Sequence, residues 1–261
     1  MTTTTFGSTA LHPSAVSGGS RRRIAAVVKL HFTNPWNAIY VPWLIMAAII
    51  VLNVLIWWLI VTAADSPAAQ NDIREGMQYS GAASYFFVYM LVVAVQSINS
   101  YFPYALSYGA TRRNYYLGAS ASFVLLAAMY SLGLSALALI EEATGGWGFG
   151  GAIFTINYFG EGPAERLFIF FTGFLFFFFV GAAVASVYVR WKAKGITAFF
   201  ILLAFVLVGL VALITLTDGW PAVGEWFARA GLVGGFAWSL VLTAVAWVTG
   251  YLLLRKATPR S

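Results

Sequence analysis

The 261-residue chain contains no cysteine, and only 9 % of its residues are charged. Without cysteine there is no disulfide framework, no thiol nucleophile and no thiolate metal site. A soluble domain carries about 25 % charged residues, so this composition excludes an ordinary soluble fold. The 61 % share of hydrophobic residues excludes intrinsic disorder. Histidine is scarce too. His12 and His31 stand apart with no neighbouring acid, which is not a metal-site arrangement. There is no Walker-type phosphate loop, and no dinucleotide fingerprint follows a strand.

What is present is apolar sequence in blocks. A bilayer-spanning helix needs about 20 mostly apolar residues, and six segments meet that length: 39–62, 85–107, 115–140, 167–189, 196–217 and 232–254. None of the six contains Asp, Glu, Lys or Arg. The sequence therefore predicts an all-α integral membrane protein with six transmembrane helices. The first block starts too deep in the chain, and runs too long, for a cleaved signal peptide. Proton-coupled transporters and pumps usually carry ionisable relays inside the membrane. Their absence here means that uphill transport would need energy from outside the membrane domain; a channel or facilitator also fits.

Charge sets the orientation. If the N-terminus is cytoplasmic, the inner segments hold Arg21, Arg22, Arg23, Lys29, Arg112, Arg113, Arg190, Lys192, Lys194, Arg255, Lys256 and Arg260, which is 12 of the 15 basic residues. The outer loops then hold all nine acids. Basic residues near helix ends orient membrane proteins, so both termini are expected in the cytoplasm. The net charge of +6 follows from this sorting and faces anionic inner-leaflet lipid; nucleic acid is not an expected partner. Trp36 and Trp191 fall near the inner boundary, and Trp147, Trp220 and Trp226 near the outer one, as aromatic belts do.

Along the chain, residues 1–20 are rich in Ser, Thr and Gly and read as a flexible cytoplasmic tail. In residues 21–35, Ile24, Val27, Val28, His31 and Phe32 recur at helical spacing, and Pro35 ends the pattern. This fits a short amphipathic helix along the inner membrane surface or a plain basic anchor; the periodicity leaves both open. Residues 36–255 form one six-helix domain, and 256–261 a second cytoplasmic tail. The glycine- and aromatic-rich loop 141–166 is expected to form a partly ordered cap. Glu141 and Glu142, being adjacent, point in different directions on a helix and read as a solvated helix end rather than an acid/base pair. In the second span Gln96, Asn99, Ser100 and Pro103 share one α-helical face. That face is a candidate pathway wall, although interhelical hydrogen bonding is the more ordinary use of such groups. Asn53 reads as packing glue, and Gly231 with Gly235 as a small-xxx-small pair permitting close helix approach. The phenylalanines of the fourth span, including the run Phe176 to Phe179, are too many for one face, so core and lipid must share them.

The segment PYALSYGATRRNYYLGAS, 103–120, carries the most specific pattern. Gly109, Ala110 and Thr111 precede two arginines, Arg112 and Arg113, followed by Tyr115, Tyr116 and Gly118. This resembles the first inner loop of ABC-2-type permeases, the membrane subunits of bacterial ATP-binding cassette exporters. Six spans, inner termini and an amphipathic segment before the first span are similar to that family as well. The resemblance implies that 21–35 is a connecting helix. It also implies that Tyr108, Gly109, Ala110, Thr111, Arg112, Arg113, Asn114, Tyr115 and Tyr116 form a coupling element that docks on the ATPase. Gln96, Asn99 and Ser100 would then line the substrate pathway, and the apolar fifth span would suit a lipid-like or amphiphilic cargo. The family's outer element before the last helix would correspond to 218–230.

The expectation is thus a non-catalytic permease subunit of a bacterial inner-membrane exporter. It would bind no cofactor itself. It would work with two copies of an ATPase that carries ATP and Mg²⁺, and with a second permease chain, identical or related. The rival classes are a non-transporting membrane subunit serving immunity, sensing or assembly, and a channel. An intramembrane lipid enzyme would need a clustered acid, histidine or nucleophile near one interface, and the sequence offers none.

Overall fold

The computed structural model describes residues 20–257. The tail read over 1–20, apart from Ser20, lies outside the described residues, as do His12 and residues 258–261. Among the described residues there is no strand, and the regular elements are helical. Helix α1 spans Ser20–Thr33. Pro35 then opens a π-helical turn, Trp36–Tyr40, in which Tyr40 N–H reaches back to Pro35 O at 3.2 Å. Helix α2, Val41–Thr62, follows directly, with Pro42 in its first turn where a missing N–H costs nothing. Helix α3, Pro67–Gly76, is short and capped by the Ser66 hydroxyl, which accepts from Ala69 N–H at 3.2 Å.

Helix α4, Ser84–Gln96, passes into a second π-helical turn, Ser97–Tyr101, and then into α5, Phe102–Ser107. Pro103 cannot donate to an i−4 carbonyl, and the wider turn lies just before it. The chain then forms α6, Arg112–Ala143, α7, Pro163–Leu216, and α8, Trp220–Arg255. Five stretches are long and apolar enough to cross a membrane: 36–62, 84–107, 112–143, 163–216 and 220–255. The fourth and fifth predicted spans both fall within α7. Its one non-helical residue is Lys192, at φ 57° and ψ −152°, between the two apolar runs. In α8 the corresponding break is Gly231, at φ 64°, which separates Trp220–Ala230 from the rest.

The core lies among α4, α6 and the first half of α7, against the face of α2 that carries Trp43. Trp43 stacks on Tyr130 at 5.4 Å, and Tyr130 meets Phe86 and Phe174 at 5.3 and 5.6 Å. Phe123 stacks on Phe178 at 5.1 Å. Phe170, Phe174 and Phe178, spaced one turn apart, are fully buried, whereas Phe176 and Phe177 are only half-buried. The phenylalanine run is therefore divided by helix periodicity, as its length required. By contrast, the second half of α7 is exposed along nearly its whole length, Phe205 being 73 % and Leu216 84 % accessible. Continuous apolar surface on this scale is incompatible with water and suits lipid or another chain. Asn53 donates to Ile49 O of its own helix at 2.9 Å, so it does not join two helices.

Candidate functional site

Helix α1 is amphipathic and docks on α6. Val27 and His31 are buried, while Arg21, Arg22, Arg23 and Lys29 are exposed. Gly118 permits the contact: a Cβ at that position would lie 2.6 Å from Val27 Cβ. The Ser20 hydroxyl donates to Asn114 Oδ1 at 2.9 Å, which fixes the start of α1 beside the start of α6.

The His31 ring joins α1 to both α4 and α6. Its Nδ1 lies 2.9 Å from the Val27 carbonyl, an acceptor, so Nδ1 carries the proton. Nε2 then accepts from the Ser97 hydroxyl at 2.6 Å. Ser97 O in turn accepts from the Tyr115 hydroxyl at 2.8 Å. Burial disfavours the imidazolium and pushes the His31 pKa down, while the Val27 carbonyl pulls it the other way.

The loop between α5 and α6 is a tight reversal. Gly109 sits at φ +80°, a left-handed conformation that glycine adopts without a Cβ clash. Ala110 N–H bonds to Ala105 O at 3.0 Å, and the Thr111 hydroxyl caps α6 by accepting from Asn114 N–H at 3.2 Å. The structure divides the nine predicted coupling residues. Tyr108, Gly109, Thr111 and Arg113 are exposed, and Ala110 and Arg112 are half-buried. Asn114, Tyr115 and Tyr116 are buried and face the interior. Tyr108 is 77 % accessible, whereas Tyr115 and Tyr116 are at 0 and 1 %. The two buried tyrosines are core residues, because helix periodicity turns them inward one turn after the cap. The aromatic cluster read from sequence thus separates into an exposed pair, Tyr104 and Tyr108, with rings 5.1 Å apart, and an internal pair.

The internal residues tie α6 to the end of α8. Tyr116 OH donates to Trp247 O at 2.8 Å, and Trp247 Nε1–H donates to Ser120 Oγ at 2.9 Å. Arg112 adds a bond of 3.0 Å from its guanidinium to Arg255 O. The exposed part of the reversal faces α1 across an open groove of about 510 Å³, bordered by Arg23, Ala26, Leu30, Tyr104 and Tyr108. The expected connecting helix and the expected coupling element therefore border one surface feature.

The candidate pathway residues do not stay together. Gln96 and Ser100 line a cavity of about 150 Å³ with His31, Asn37, Ser97 and Tyr101. Asn99 is absent from that lining, and its amide oxygen is buried without a partner among the described residues. The single-face reading assumed 3.6 residues per turn. The π-helical turn over Ser97–Tyr101 breaks that register. A larger, almost wholly apolar cleft of about 670 Å³ lies between α7 and α8, bordered by Phe176, Phe177, Phe227 and Phe236. Gly231 and Gly235 border it too, and a Cβ at either would meet nothing within 4 Å, so this pair opens a cleft instead of closing a helix contact.

Glu141 departs most from its expected place. It is 1 % accessible, not solvated. Its carboxylate accepts from the backbone N–H groups of Ile153, Phe154 and Thr155 at 2.9 to 3.0 Å. The Thr155 hydroxyl and the Trp147 indole also donate to it, both at 2.6 Å. Glu142 instead pairs with Arg166, whose guanidinium also donates to Gly160 O and Glu161 O. The loop expected to be a partly ordered cap folds back over Glu141, with Ile153, Phe154, Ile156 and Phe159 buried. Both oxygens of Glu141 are engaged in holding this loop. The sequence signal for it is an acid that ends an apolar span and precedes a glycine-rich loop with free backbone donors. No protein-family model, curated protein or solved structure matches the chain.

Proposed function

We propose that this chain is the permease subunit of an ABC exporter in a bacterial inner membrane. It has six spans, with both termini on the cytoplasmic side and α1 lying in the membrane interface. A straight helix of 54 residues would be about 80 Å long, against a hydrocarbon core of about 30 Å. The interruption at Lys192, within the basic segment RWKAK, supports two spans joined by a short inner turn. The sorting of basic and acidic residues supports the orientation.

The observation that carries the reading is the groove between α1 and the 108–113 reversal. Tyr104, Tyr108 and Arg23 border it with exposed aromatic and basic side chains, and Arg113 is exposed in the same reversal, as a cytosolic partner with an acidic cleft requires. A separate ATPase binds at this groove and supplies the energy, with ATP and Mg²⁺ on its own residues. A second permease chain completes the unit. Motion of the reversal passes along α6 and, through Arg112, Tyr116 and Trp247, to α8. Gln96 and Ser100 serve the polar part of an amphiphilic cargo, and the apolar cleft between α7 and α8 serves its tail. The cargo crosses by alternating access.

The test is a tagged pull-down from native membranes in mild detergent, with ATP and Mg²⁺ present. A stoichiometric cytosolic ATPase is expected, and it should be lost when Tyr108→Ala and Arg113→Glu are combined. A complex without any ATPase overturns the proposal and makes bilayer conductance the next measurement.

A further inference from the structure

We infer that the cavity between α1, the start of α2 and the π-helical turn of α4 binds an uncharged, hydroxyl-bearing group of about the size of glycerol. The inference deepens the transport reading of Gln96 and Ser100, and rests on it for the membrane as a source of ligand. At about 150 Å³ the cavity has room for about five waters of ~30 Å³ each, or for one small polyol.

Its polar lining is of one kind. Asn34, Asn37, Gln96, Ser97, Ser100 and Tyr101 carry amides and hydroxyls, the Asn34 oxygen already accepting from Trp36 N–H, and His31 is held in its neutral tautomer by the Val27 carbonyl on one side and the Ser97 hydroxyl on the other. No lining residue carries a formal charge at neutral pH in this arrangement. An anion or cation entering would lose its hydration without an opposite charge to meet it. Val93, Phe123 and Leu126 form the apolar wall.

The hydrogen-bonding capacity is also unbalanced. His31 and Ser97 satisfy each other. Asn37, Gln96 and Ser100 are exposed and Tyr101 is half-buried, and among the described residues none of their side chains has a protein hydrogen-bond partner, so the cavity brings four open polar groups to one place. Each amide offers a donor and an acceptor, and each hydroxyl can act as either. A vicinal hydroxyl group both donates and accepts, so it matches this mixed set; a pure acceptor or a pure donor would leave half of it unpaired. The π-helical turn brings Ser97, Ser100 and Tyr101 to a common side, and such turns recur at functional sites.

The chain's lack of cysteine supplies the probe. Ala38 lines the cavity without belonging to its polar set, so Ala38→Cys introduces a lone thiol there. Its alkylation rate is measured in phosphatidylcholine nanodiscs doped with dioleoylglycerol or with dioleoylphosphatidic acid, and separately with free glycerol in the buffer. Dioleoylglycerol, glycerol or both should slow alkylation several-fold, and the active one identifies membrane or solvent as the source. Phosphatidic acid should not slow it. Adding Gln96→Leu should abolish the protection, and an unfolding profile matching that of Ala38→Cys alone in the same nanodiscs excludes misfolding. Equal protection by phosphatidic acid, protection that survives Gln96→Leu, or none from either hydroxyl source would overturn the inference and leave a water-filled cavity. ATPase retention is assayed on the same preparation. Protection without an ATPase would sink the transport reading alone, and an ATPase without protection would sink this inference alone.

Discussion

Where α6 passes into α7, one buried carboxylate gathers three backbone amides, a hydroxyl and an indole, and a neighbouring ion pair fastens the loop behind it. Where α4 passes into α6, an open groove and a small cavity present amides, hydroxyls, tyrosines and arginines, several without protein partners among the described residues. A buried polar group left unpaired costs free energy, so saturation at the first end builds rigidity. Uncommitted groups at the second end contribute little to stability and are available to ligands. The contrast assigns a static role to the 144–162 cap and an interacting role to the α1 and 108–113 end.

The strongest way to break this contrast is Glu141→Ala. It removes the acceptor from five donors at once, each worth ~1–3 kcal/mol if orphaned. Water and loop relaxation recover part of that, so the expected loss is on the order of 4 kcal/mol. Thermal unfolding in detergent, with limited proteolysis of the 144–160 loop, would measure it. An unfolding temperature within error of the parent would show that the cap is not held by this residue. Arg166→Ala should follow at about 2 kcal/mol, less than a fully buried pair because Glu142 is 43 % exposed and regains water. Proteolysis near Gly160, whose carbonyl accepts from Arg166, should increase with it.

These effects bear on what the sequence discloses. The apolar runs were legible because lipid demands long uncharged stretches, and five helices are long and apolar enough to cross a membrane; the predicted limits agree with them to within a few residues, except that α7 continues through Lys192 and α8 begins at Trp220 rather than at 232. The amphipathic face of α1 was legible as well, down to His31 on its apolar side, because 3.6-residue periodicity needs no tertiary information. Glu141 was not. Whether an acid at a helix end meets water or a curl of backbone depends on the loop returning over it, and that return is set by left-handed residues such as Trp147 and Gly148. Tyr115 and Tyr116 were misread for a related reason. Aromatics beside two arginines resemble a surface cluster until the cap at Thr111 fixes the phase of α6 and turns them inward. Asn99 parted from Gln96 and Ser100 because a π-helical turn, which adds one residue per turn, leaves no mark in polarity alone.

At the opposite end, acidification should have a smaller and reversible effect. The folded state depresses the His31 pKa below its usual 6.5. The stability this ring contributes is therefore complete above pH 6.5 and is lost as pH falls toward the lowered folded value. The slope cannot exceed ~1.4 kcal/mol per pH unit. A proton on Nε2 removes the acceptor for the Ser97 hydroxyl, in a site closed by the Tyr101, Tyr115 and Phe123 rings. Unfolding followed from pH 7.5 to 5 should show a decline that His31→Phe abolishes. A parallel decline in both proteins would assign the pH dependence elsewhere.

The smallest expected change in stability is the one that separates the two ends. Arg113 is exposed, and among the described residues its side chain makes no hydrogen bond, so Arg113→Glu should alter the unfolding free energy by less than about 0.5 kcal/mol. Arg112 is less suitable, since its guanidinium holds the end of α8 and its loss would mix structural and docking effects. If the 108–113 reversal meets an acidic partner, reversing the Arg113 charge converts attraction into repulsion there. Association should weaken more at low ionic strength than at high, because exposed charges are screened within about 10 Å at 0.1 M salt. Measured side by side, Glu141→Ala should destabilise the isolated chain while any folded fraction still binds the proposed ATPase partner. Arg113→Glu should leave the chain intact and lose that proposed partner. If both variants lose stability and binding in proportion, the two ends form one cooperative unit and the division between a static and an interacting end fails.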